Sequence, residues 1–146
     1  MIAMRRGVVV LLALALVAAV VWRFGDIAGA SPRYDVPHNG QMEGVLGVRF
    51  TQAAVVADGG IVELRYVVLD TQKGSAFQND IKHPPVLRSE RNGKIAWRAA
   101  LMKQGHDLRP GQSYYILYLN NASAIKRGDK IEISAGANKL AHVPVR

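Results

Sequence analysis

Cysteine is absent from all 146 positions. Disulfides, thiolate chemistry and every cysteine-ligated zinc or iron–sulfur centre are thereby excluded, and any core must stand on packing alone. Acids are scarce as well, with 11 Asp and Glu against 19 Lys and Arg and a formal charge of +8. After Arg23 no stretch carries an apolar stripe of helical period over a useful length, which argues against a helical bundle. Also missing are a Gly-x-Ser-x-Gly elbow, a phosphate-cradling glycine loop, a dinucleotide fingerprint, a calcium loop and any internal repeat. Catalysis therefore has no positive signal, and the chain is expected not to be an enzyme.

What is present begins with one long hydrophobic run. Gly7 to Trp22 is apolar throughout, follows Arg5 and Arg6, and ends at Arg23. Under the positive-inside rule the two arginines stay cytoplasmic and the rest of the chain is exported. A buried core helix would show a polar stripe, and this run has none. As a helix its roughly 16 residues extend about 24 Å, against about 30 Å of hydrocarbon. Ala28-Gly29-Ala30 has the small-residue spacing of a signal cleavage site. Trp22 as an interfacial anchor and Arg23 as a snorkelling cation favour retention. Residues 1–30 are thus expected to be a transmembrane signal anchor, which makes the chain a single-pass protein of the cell membrane with an extracytoplasmic C-terminal domain. The alternative is a signal peptide cleaved near Ala30 and a secreted or periplasmic product.

Ser31 to Gly44 holds Pro32, Pro37, Asn39 and Gly40 with few large aliphatics, and is expected to be a linker without core residues. From Val45 onward short apolar stretches of period two alternate with turn signals. Val48–Val56 and Ile61–Leu69 flank Asp58-Gly59-Gly60, predicting a hairpin in which Val62, Leu64, Tyr66 and Val68 share the inner face. The weaker alternation at Gln52, Ala53 and Ala54 predicts a β-bulge that keeps Val55 inward. Val86–Arg91 and Lys94–Trp97 flank Asn92-Gly93, predicting a second, two-residue hairpin closed by the Trp97 ring.

Tyr114–Leu119 predicts a central strand buried on both faces, Ile131–Ala135 a half-exposed one, and Leu140–Val145 an edge strand because of Pro144. Seven strands in about 100 residues predict an all-β, immunoglobulin-like antiparallel β-sandwich over 45–146, behind the N-terminal helix. Asp70–Pro85 and Arg98–Gln112 are long connections, where function or a short helix is expected, the latter at Ser75–Asp80.

Without cysteine, a metal site would have to use imidazole and thioether, a donor set that suits copper. His38 lies four residues before Met42 and Met102 four before His106, and His83 opens a strand ahead of two prolines, so His83, Met102 and His106 are the candidate ligands. A surface role for the histidines and a gap-filling role for Met102 is the plainer expectation, and no cofactor is expected. Lys82, Arg88, Arg91, Lys94, Arg98, Lys103 and Arg109 share one stretch in which Glu90 and Asp107 are the only acids. Of these, Arg88, Arg91, Lys94 and Arg98 at the Asn92-Gly93 hairpin are the candidates for binding anionic lipid, wall polymer or an envelope protein. A solvated face that guards a strand edge is the bland counterpart. Nucleic acid is not expected, since no aromatic-and-basic recognition pattern occurs. The functional expectation is a membrane-anchored binding or scaffolding module of the cell envelope, with a periplasmic copper-binding domain and a small envelope hydrolase as alternatives.

Overall fold

The computed structural model describes residues 35–103 and 107–146. The N-terminal hydrophobic segment, the start of the expected linker and His106 lie outside the described residues. Among the described residues no helix is long and apolar enough to cross a membrane.

The fold is mostly β, two antiparallel four-stranded sheets stacked as a sandwich. The first sheet runs in the order β1 (Val48–Val56), β2 (Ile61–Val68), β6 (Ser113–Leu119), β5 (Ala99–Leu101). The second runs β4 (Ile95–Ala96), β3 (Val86–Ser89), β7 (Lys130–Ala135), β8 (Asn138–Pro144). Two helices, α1 (Gly40–Leu46) and α2 (Thr71–Asn79), complete the unit.

The period-two readings hold wherever one face is apolar. Val62, Leu64, Tyr66 and Val68 are buried while Glu63 and Arg65 pair with each other on the outer face. The expected bulge falls between Phe50 and Gln52, and Ala53, Ala54 and Val55 are all buried beyond it. Pro144 lies on β8, which is an edge strand as expected. Both inner faces meet in one core that includes Leu64, Leu87, Ile116, Ile131, Ile133 and Val143. Each such side chain contributes about 1.5–3 kcal/mol of burial. The phenol oxygens of Tyr66 and Tyr118 sit in this core without a hydrogen-bond partner, and desolvation pushes the Tyr66 hydroxyl up to about 12.

The chain crosses or bridges between the sheets on both sides of the sandwich. Trp97 and Arg98 alone carry the chain from β4 in one sheet to β5 in the other. On the opposite side Val145 bridges Ala53 in parallel, and Arg146 exchanges backbone hydrogen bonds with Ala53 and Val55 at 3.0 and 2.8 Å. Covered edges leave little backbone for unwanted pairing.

Five expectations are corrected. Residues 40–44 are not linker: Asn39 caps α1 by accepting from the Met42 N–H, and Met42 is a core residue at 2% exposure. One buried side chain on a seven-residue helix gives no periodic signal. Strand β3 stops at Ser89 and its turn spans Glu90–Gly93, closed by Ser89 N–H to the Lys94 carbonyl at 2.9 Å. The wider turn lets Glu90 reach His142 and Arg91 reach Asp129. Trp97 does not close that hairpin but is 56% exposed, because β4 ends at Ala96. Among the described residues the strands number eight, since β5 lies inside the expected loop Arg98–Gln112. Strand β6 is central but buried on one face only, with Tyr115 exposed.

Candidate functional site

Helix α2 fixes one end of the sandwich. Asp70 caps it by accepting from the Lys73 N–H at 3.0 Å, and Phe77 packs edge-on against Phe50 and Tyr66, with centroids 6.2 and 5.4 Å away. The helix stops at Asp80, whose backbone carbonyl accepts from His83 N–H at 3.1 Å and whose carboxylate meets His83 Nδ1 at 2.8 Å. Pro84 and Pro85 then restrict the backbone behind His83, so the imidazole is presented at a rim. Across from α2, α1 ends at Gly47, and the β7–β8 turn passes through Gly136 in the left-handed region.

These three elements enclose an open cleft of about 680 Å³. Val45 and Leu46 form one wall, Ala76 and Phe77 another, and residues 135–138 the third, with Lys73, Asp80 and His83 as its polar groups. His83 and Gly136 also line a second depression of about 340 Å³ with Pro84, Val86, Trp97, Lys82 and Ser134. The two depressions share His83 and Gly136, and together they make up the groove between Val45 and Trp97, the candidate site. Two of the three most exposed large apolar side chains among the described residues line these depressions, Val45 at 58% and Trp97 at 56%, and the third, Ile81, stands between Asp80 and Lys82 in the chain. The lining of the cleft is mainly apolar with a few polar groups, the composition in which small-molecule sites are found.

The sequence candidates are placed as follows. His83 is in the groove, engaged by Asp80. Met102 is a core side chain, so its thioether fills an apolar gap instead of lining an open site. Met42, the other thioether, is also buried, and His38 faces Glu43 at 3.4 Å. Among the described residues no three His, Asp or Glu side chains group to hold a metal. Asp80 and His83 do bring an imidazole and a carboxylate together in the cleft, but the nearby Ser134 hydroxyl donates to Glu132 Oε1 at 3.2 Å.

Of the four basic candidates, Arg91 has a structural role. Its Nε and Nη2 donate to the two carboxylate oxygens of Asp129 at 2.6 and 3.3 Å. The Asp129 carboxylate, nearly buried, also accepts from Lys126 N–H at 2.9 Å and Ser89 Oγ at 3.4 Å. The Arg91 hydrogen bond is the main cause that holds the Asp129 carboxyl below its usual range, against the opposing effect of burial. Arg88 lies opposite Ile95 and reaches the Gly93 carbonyl at 3.3 Å, while Lys94 and Arg98 are exposed.

Sequence reading missed the groove because its walls come from α1, α2 and a turn, none long enough to show a period. The one legible signal was His83 ahead of the two prolines Pro84 and Pro85. No protein family, curated protein or solved structure matches the chain.

Proposed function

We propose that this chain is a membrane-anchored, extracytoplasmic, immunoglobulin-like module with a non-catalytic binding or scaffolding role in the cell envelope, and that it binds through the groove past His83. The anchor is the run Gly7 to Trp22. The strand order supports the finer fold assignment: β1-β2-β6-β5 against β4-β3-β7-β8 is the ABED sheet facing a CFG sheet extended by C′.

The observation that carries the binding reading is that two of the most exposed large apolar side chains, Val45 and Trp97, line two depressions that share His83 and Gly136. Exposed apolar groups scattered singly mean little, whereas a contiguous set around a concavity marks an interaction site. Lys73 and Lys82 line it, and its one carboxylate, Asp80, is held by His83. The groove therefore suits an apolar ligand with an anionic end.

Anilinonaphthalene sulfonate, an apolar anion, is the probe. The expected result is saturable binding to the folded protein, weakened about tenfold by Ala76→Trp, an exposed helix position whose new ring occupies the cleft; a tenfold loss corresponds to about 1.4 kcal/mol. Equal binding by the variant, with its circular dichroism unchanged, removes the cleft as the site.

A further inference from the structure

The outer face of the second sheet carries an amphipathic strip that extends beyond the cleft. In the β3–β4 pair Leu87 and Ala96 face inward, so their neighbours Arg88 and Ile95, which oppose each other, face outward. Ile95 is 43% exposed, and Trp97 follows two residues later. Exposed cations lie near this pair: Arg88 across the ladder, with Glu132 opposite it on the next strand, Lys94 and Arg98 just outside β4 in the chain, and Lys82 at the depression that Trp97 lines. The acids of the region are all engaged. Glu132 accepts from Lys139 at 3.2 Å, Asp129 from Arg91, and Glu90 meets His142 at 3.0 Å.

We infer that this strip docks the domain onto an anionic lipid bilayer, with Trp97 and Ile95 entering the headgroup boundary while Lys82, Arg88, Lys94 and Arg98 meet lipid phosphates. Tryptophan is favoured at that boundary because its ring is apolar and its N–H needs a polar partner. Each Lys or Arg near an anionic leaflet adds attraction that decays within a Debye length of about 8 Å. A peptide added as a strand would need a longer backbone edge than the two residues of β4. The inference rests on the anchored reading for one further point. Only residues 23–34 separate Trp22 from Asp35, a reach of at most about 40 Å, so a retained anchor supplies the high effective concentration that makes a weak surface contact populated.

The test uses the full chain carrying Trp22→Phe, which leaves Trp97 as its one tryptophan. It is reconstituted into vesicles of phosphatidylcholine, alone or mixed with phosphatidylglycerol, that contain lipids brominated near the headgroup. On the anionic vesicles Trp97 emission is expected to shift to the blue and be quenched. Both effects are expected to vanish on the neutral vesicles and at high salt. In the double variant Arg88→Glu, Lys94→Glu the docked-to-undocked ratio is expected to fall by about tenfold or more, since each cation removed costs about fivefold.

Identical, water-exposed emission on both vesicle types overturns the inference, as does quenching that neither salt nor the double variant changes. A shift with soluble polyglutamate and none with vesicles assigns the strip to an acidic polypeptide and also overturns it. Anchoring is read separately, by flotation with the vesicles after an alkaline wash. A chain that floats while Trp97 stays water-exposed keeps the anchor and loses the docking. A chain that is washed off loses the anchor, and docking is then decided by salt-sensitive co-flotation before the wash.

Discussion

Gly47→Ala is expected to destabilise the domain by about 3 to 5 kcal/mol, combining the cost of a left-handed backbone at a residue with a Cβ and the cost of overpacking. Gly47 has φ +68°, and a Cβ there would sit 2.5 Å from Lys73 Cβ and 2.9 Å from both the Asp70 carbonyl oxygen and the Gly74 nitrogen. Backbone atoms cannot rotate away as a side-chain tip can. The same residue closes α1 by donating to the Glu43 carbonyl at 2.8 Å, and its own carbonyl accepts from Leu69 and Asp70 N–H at 2.8 and 3.0 Å. A shift here therefore moves both walls of the cleft. Gly44→Ala is the control: a Cβ there meets nothing within 4 Å, so removing glycine from a helix is expected to be neutral or stabilising by up to about 1 kcal/mol. Thermal unfolding of both variants checks the pair, and equal melting temperatures would contradict the described corner.

Asp129→Asn is expected to cost about 2 to 3 kcal/mol at neutral pH and much less in acid. The carboxylate accepts four hydrogen bonds, from Arg91 twice, Lys126 N–H and Ser89 Oγ. An amide offers one oxygen and places an NH2 against donors, so a buried set of donors is left unpaired. The half-exposed Arg91 keeps the loss below that of a fully buried ion pair. The folded pKa of Asp129 lies below its ordinary value, so its stabilisation is complete above the unfolded pKa of about 3.9 and is lost as pH falls through the lower, folded one. The stability gap between wild type and Asp129→Asn should therefore be constant from neutral pH down to about 5 and close below about 4. Denaturant titrations of the full chain in detergent at several pH values measure it. A gap that is unchanged at pH 3 would mean that the carboxylate charge contributes nothing.

The sheets were legible in the sequence and the site was not, for one physical reason. A strand announces itself by period-two alternation over a handful of residues, as Ile61–Val68 does, and a hairpin by turn residues that tolerate positive φ, as at Asp58-Gly59. The broken alternation at Gln52, Ala53 and Ala54 suggested a bulge without placing it, and the irregularity falls just before them, between Phe50 and Gln52. Asn92-Gly93 misled for an informative reason. The dipeptide does turn the chain, with Gly93 at φ +70°, but Glu90 and Arg91 are drawn into distant pairs with His142 and Asp129 and widen the turn. Those partners lie 52 and 38 residues away in the chain, beyond any local pattern. The same holds for the groove, whose walls meet only after α1, α2 and the β7–β8 turn have folded together. Of the copper candidates His83, Met102 and His106, burial turns Met102 into core packing.

We propose that the sandwich lies outside the cytoplasm on a retained N-terminal anchor, and cysteine labelling tests this. Since the chain has no cysteine, single cysteines report topology without background. Ala3→Cys and Lys126→Cys, the second at an exposed turn residue, are expressed separately and exposed on spheroplasts to a membrane-impermeant maleimide. Lys126→Cys is expected to react on intact spheroplasts and Ala3→Cys only after lysis, and both proteins are expected to keep their full-length mass and stay in the membrane after an alkaline wash. Protection of Lys126→Cys until lysis would contradict export, and a Lys126→Cys product that reacts but has lost its first 30 residues would contradict the anchor.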